Sequence, residues 1–239
     1  MASGHSLNGL LCIGHSHVAS VSRASVEAGI GLVALNFWEM PGATVRQGAG
    51  LRLSDDLARR LGQHRGPVFS MIGGAAHGVL GMLVHPRRFD FVLPDAPHLA
   101  LDAEAEVLPA TAVRRVLESL MADFLSLMGH VREVCPGSLV HVEPPPPYED
   151  AERMRPDIPW PLYPGMLHDI SPAPLRYKLW RLHSNVLRDW CRKAGAAFLP
   201  CPTQSANPRG FLRDLYYGDG AHANVAYGAL VLAQMRQLA

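Results

Sequence analysis

The chain reads as an α/β protein: a three-layer α/β/α sandwich around a mostly parallel five-stranded sheet. Two observations predict it. Five short runs, residues 10–13, 31–36, 67–72, 139–143 and 196–199, are almost continuously apolar, as strands buried on both faces are. Amphipathic helical runs separate them, so strand and helix alternate, and right-handed crossovers leave few topologies open. At 239 residues and 48% hydrophobic content, the chain is long enough to bury one core as a single domain spanning 1–239.

The first helix begins just after Ser16 and carries Val18, Val21 and Val26. Ser54 reads as an N-cap, with Asp55 and Asp56 suited to the positive end of the next helix. Over 111–135, Val113, Val116, Leu117, Leu120, Phe124, Leu127 and Val131 recur at helical spacing, and Pro136-Gly137 stops the run. A further helix spans 175–193, with Leu179, Leu182, Val186, Leu187 and Trp190 inward and its Arg and Lys residues forming a solvated face. The last helix covers about 224–237.

Residues 144–174 break this rhythm. Four consecutive prolines, Pro144 to Pro147, open a stretch too long for an ordinary connection and too proline-rich for helix. Its aromatics, Tyr148, Trp160 and Tyr163, fit an ordered lid or pocket wall on the edge where the preceding strand ends.

Lys plus Arg number 22 against 21 Asp plus Glu, a formal net charge of +1, so no general electrostatic pull toward nucleic acid or an anionic membrane is expected. No apolar run reaches the length of a membrane span. Residues 1–6 lack the basic start and apolar stretch of a secretory signal. Cys12, Cys135, Cys191 and Cys201 lie far apart, with Cys12 and Cys191 on apolar faces. A reduced cytoplasmic protein is the expectation.

Open α/β sheets bind ligands beyond the carboxyl ends of their strands. Ser16 lies just past one such end, in Gly14-His15-Ser16-His17, and the segment after Ile72 lies past another. Near the C-terminus, Asp219 and His222 stand three residues apart in a Gly-flanked loop. Ser16 as nucleophile, His222 as general base and Asp219 as its orienting acid compose a hydrolytic triad. Two plainer roles compete: Ser16 also suits a helix N-cap, and Asp219 could cap the last helix, as could Asn224. His15 and His17 form a His-x-His at a turn with no acid or cysteine nearby in sequence, so neither metal nor another cofactor is expected. One of the two should line the pocket and the other pack under the first helix, and His15 is placed among the oxyanion and substrate residues.

These segments carry a resemblance. Gly14-His15-Ser16-His17 is similar to the Gly-Asp-Ser-Leu nucleophile block of the SGNH (GDSL) hydrolases, and Asp219-Gly220-Ala221-His222 matches their C-terminal Asp-x-x-His block. Ser70 to His77 falls where the family's Gly-x-Asn block sits, but the asparagine position reads Ala75. The resemblance implies a flavodoxin-like sandwich and a serine esterase or carbohydrate O-deacetylase working through an acyl-enzyme on a small-molecule or carbohydrate ester. An acyltransferase on the same triad, or a catalytically impaired protein that binds a sugar or acyl ligand, are the alternatives it leaves. In the family, oxyanion donors are the serine N–H, a second-block glycine, placed here at Gly48 of Gln47-Gly48-Ala49-Gly50, and the missing asparagine. His77, two residues beyond Ala75, is a candidate to fill that vacancy.

Overall fold

The computed structural model describes residues 9–158, 167 and 169–239. In chain order its elements are β1 (Leu10–Gly14), α1 (Val18–Glu27), β2 (Leu32–Asn36), the hairpin β3 (Thr44–Gln47) and β4 (Gly50–Leu53), α2 (Asp55–Gly62), β5 (Val68–Met71) and α3 (Ala76–Gly81). There follow β6 (Phe89–Asp90), β7 (Glu106–Val107), α4 (Ala110–Val134), β8 (Leu139–Val142), α5 (Ala151–Met154), α6 (Ala173–Ala194), β9 (Ala197–Leu199) and α7 (Val225–Gln237). Five strands pair in the order β2-β1-β5-β8-β9, every pair parallel, and they coincide with the five apolar runs.

Alternation along each strand divides the core into two layers. Leu11, Ile13, Val68 and Leu139 face α2, α4 and α6. Leu10, Cys12, Phe69, Val140 and Val142 face α1 and α7. The fold is therefore the expected α/β sandwich with a parallel five-stranded sheet.

Several helix faces differ from the sequence reading. Val26 is 78% exposed at the end of α1, and Val116 and Leu120 are exposed on α4. The Arg and Lys residues of α6 are not all solvated. Lys178 is fully buried, bonded to the Asp90 carboxylate at 2.5 Å and donating to the Ala100 carbonyl at 3.1 Å. Arg176 is buried as well. For Lys178 the cause lies far away in sequence: residues 83–108, with Phe91 and Leu93 anchored in the core beside Leu175 and Leu179, cover its side of the helix, whereas Arg176 is buried against Tyr148, Glu149 and Ser171. The β3–β4 hairpin was also unforeseen. It docks on α4, where the Leu53 N–H donates to His130 Nδ1 at 3.0 Å.

Two glycines position the site. A Cβ on Gly14 would lie 2.7 Å from the Met71 backbone, so β1 can turn away beside β5 only without a side chain. A Cβ on Gly228 would stand 2.2 Å from the Ser20 carbonyl oxygen. Helix α7 thus presses directly on α1, bringing the loop before α7 beside the turn after β1. Of the proline-rich segment, Pro144 to Pro146, Tyr148, Met154 and Ile158 are buried, whereas Trp160 and Tyr163 lie outside the described residues. Among the described residues, no helix is long and apolar enough to cross a membrane.

Candidate active site

The loop between Tyr216 and α7 is closed by its own backbone. An antiparallel bridge pairs Tyr217 with Ala223, and Gly218 N–H donates to the His222 carbonyl at 3.0 Å. Asn224, the N-cap of α7, accepts from Tyr227 N–H and donates through Nδ2 to the Leu215 and Tyr217 carbonyls at 2.9 and 3.1 Å. Asp219 is therefore not the cap, and its carboxylate is available to the ring of His222.

Both Asp219 oxygens stand 2.9 Å from His222 Nδ1, and Oδ1 also accepts the N–H groups of Ala221 and His222 at 2.8 Å. Burial pushes the Asp219 carboxyl up, but the hydrogen bonds from His222 and from Ala221 outweigh it and hold the group below the ordinary carboxylate range. With a carboxylate on that side, Nδ1 carries the proton and Nε2 keeps its lone pair.

Ser16 is half-buried at the turn after β1 and lines an open groove of about 600 Å³ together with His17, Asn36, Asp219 and His222. Its hydroxyl is not spent on capping: His17 occupies the N-cap position of α1, without a side-chain cap. Among the described residues, Ser16 N–H has no partner and no hydrogen bond joins Ser16 Oγ to the His222 ring. His17, Asp219 and His222 also border a second, more enclosed cavity of about 110 Å³, with Ala75, His77, Val79, Met82, Tyr148, Met154, Arg176 and Leu212 on its walls. Ser16 does not line that one.

Of the histidine pair it is His17, not the expected His15, that lines both cavities. Its ring centroid is 5.3 Å from that of His222, and burial pushes its pKa down to about 3, so it stays neutral. His15 does not pack under the first helix. It packs against Phe37, Trp38 and Phe124 and borders neither cavity. Gly48 sits exposed in the β3–β4 turn and borders neither one either.

His77 is tethered rather than free to swing. Its Nδ1 lies 3.2 Å from Nδ1 of His183, whose Nε2 lies 3.0 Å from the Gly73 carbonyl. A carbonyl only accepts, so His183 Nε2 carries a proton. Burial holds His183 down to about 4 and His77 well below its ordinary value, so both rings are neutral. His183 Nδ1 then accepts from His77 Nδ1–H, and His77 Nε2 is left as a lone pair. A lone pair cannot donate to an oxyanion, which removes His77 from that role.

His183 and Arg176 escaped the sequence reading. One signal was present: Arg176, Trp180, His183 and Leu187 share one stripe of α6 at the spacing of its apolar residues.

The histidines also set an acid limit. Burial holds His141 at about 3 and His183 at about 4, against an ordinary 6.5. Between those values the unfolded chain binds a proton on each ring and the folded protein does not. Stability is therefore complete above about pH 6.5 and falls as pH drops, by about 1.4 kcal/mol per pH unit for each ring. The expected result is a Tm that declines steeply from pH 6.5 toward 4 in a calorimetric series; a flat profile there would show the rings protonated or hydrated when folded.

No protein-family model matches the chain, and no curated protein matches it. Among solved structures it is similar to a Streptococcus pneumonia protein provisionally described as a platelet activating factor, at 15% identity and TM-score 0.47, covering 100% of this chain and 86% of that one. Est24, a carbohydrate acetylesterase from Sinorhizobium meliloti, is 14% identical with TM-score 0.39, over 95% of this chain and 96% of that one. The native M. smegmatis aryl esterase is 14% identical with TM-score 0.41, over 96% and 99%. At such identities and scores these likenesses decide nothing about the site, whose chemistry rests on its own geometry.

Proposed function

We propose that this chain is a serine ester hydrolase using Ser16, His222 and Asp219, of the kind its SGNH-like motifs imply. The observation that carries the reading is the His222 ring held by both oxygens of Asp219, with its Nε2 lone pair unspent and Ser16 in the same groove. His222 Nε2 takes the Ser16 hydroxyl proton as Oγ bonds to the ester carbonyl carbon. The same proton then goes to the alkoxide as the carbonyl–oxygen bond breaks, leaving an acyl-serine. Water, deprotonated by His222, adds to the acyl carbon and releases the acid and the serine hydroxyl. The Ser16 N–H, without a partner among the described residues, serves as an oxyanion donor at the nucleophile. The segment from 144 to 174 serves as pocket wall and lid, its described part supplying Pro145 to Tyr148 and Met154 to the enclosed cavity. The whole chain, 1–239, acts as one domain.

One observation favours a second reading, a protein that binds a sugar or acyl ligand without turning it over. Ala75 borders the cavity at the N-cap of α3 and has no side-chain donor. Hydrolysis of 4-nitrophenyl acetate separates the two. Ala75→Asn places an amide where the donor is missing, and Asn is a better cap than Ala there. The expected gain in kcat is about 100- to 1000-fold. A parent and an Ala75→Asn protein both as inactive as Ser16→Ala would instead favour the binding reading.

A further inference from the structure

The enclosed cavity is bordered by a cation that makes no ion pair among the described residues. Arg176 is 4% exposed, yet its guanidinium donates only to backbone carbonyls: Nη1 to Ser171, and Nη2 to Tyr148 at 2.9 Å and Glu149 at 2.7 Å. Its Nε–H has no partner. No carboxylate lies within 4.0 Å of it among the described residues, which include every Asp and Glu of the chain. Glu149 and Asp150 support its charge from a distance, but both make their direct bonds elsewhere. Glu149 pairs with Arg209 at 2.8 Å, and Asp150 caps α5 by accepting from Glu152 and Arg153 N–H. The cavity's own acid, Asp219, is bound to His222.

Burial pushes the Arg176 guanidinium down to about 10, so it stays charged at neutral pH. A buried, charged guanidinium with N–H groups left unbonded is costly unless an anion completes it. Two of its five N–H groups remain, enough for one carboxylate and too few for a dianionic phosphate.

The two cavities differ in a way that orients the ester. The open groove beside Ser16 suits the departing alcohol, whereas the enclosed cavity, about 110 Å³, suits a short acyl group. We propose that Arg176 recognises a free carboxylate at the far end of the acyl group, so that the preferred substrates are half-esters of short dicarboxylic acids. This rests on the hydrolase reading and names its substrate class.

The test compares monoethyl glutarate with its neutral isostere, ethyl 4-carbamoylbutanoate, by the ratio of their kcat/KM values. The ratio cancels any general loss from imperfect folding. Wild type should favour the half-ester by about 10- to 100-fold, the worth of hydrogen bonds to a charged group. Arg176→Gln should bring the ratio near one, and Arg176→Lys should keep part of it, because the charge survives without the planar fork. A wild-type ratio near one, or a preference that persists in Arg176→Gln, overturns the proposal. Calorimetric binding of both compounds to Ser16→Ala protein is measured in parallel. Half-ester-selective binding with no hydrolysis by wild type would sink the hydrolase reading and leave Arg176 its role; hydrolysis without selectivity would do the reverse.

Discussion

Ser16→Ala is expected to lower kcat on 4-nitrophenyl acetate by about 10⁴- to 10⁶-fold, the range for removing a nucleophile whose partners remain in place. The size of the loss follows from the groove. With Oγ gone, the lone pair of His222 can activate only water, which has no fixed position against the carbonyl. The side chain is half-buried and makes no cap, so the substitution should leave the fold and Tm unchanged. The measurement is best made in the Ala75→Asn background as well, where a faster parent extends the measurable range. Residual activity above about a tenth of the parent's would place the nucleophile elsewhere.

Asp219→Asn should cost about 10⁴-fold in kcat. The amide oxygen can still accept the N–H groups of Ala221 and His222, so the loop survives. Its NH₂, however, can face Nδ1 as a donor and move the ring proton to Nε2, where it blocks transfer from Ser16. Asp219→Ala would lose both the tautomer and the loop contacts, and should therefore lower Tm where Asp219→Asn does not. If Asp219→Asn retained most of the parent activity, Asp219 would be a loop brace and not part of the triad.

The strands were legible because a parallel sheet covered on both faces leaves nearly every strand position apolar, and all five runs were recovered as strands. The positions of the proposed triad residues were legible too. Ser16 follows a strand end, and Asp219 and His222 are close enough in sequence for one loop to join them. Helix faces were less so. Val26 is apolar and exposed, whereas Lys178 is charged and fully buried, because solvation depends on what packs from elsewhere. The hairpin at 44–53 was missed, since its strands are only four residues long and carry little apolar pattern.

The sequence by itself determined the layered α/β architecture and which residue types could form a triad, because periodicity and short-range spacing are local properties. Tertiary structure alone decided what those residues face. Gly228 against Ser20 brings the turn after β1 and the loop before α7 into one groove, His183 ties down His77, and residues 83–108 help bury one side of α6. Contacts between residues far apart in sequence set burial, tautomer and ion pairing, and no local pattern encodes them.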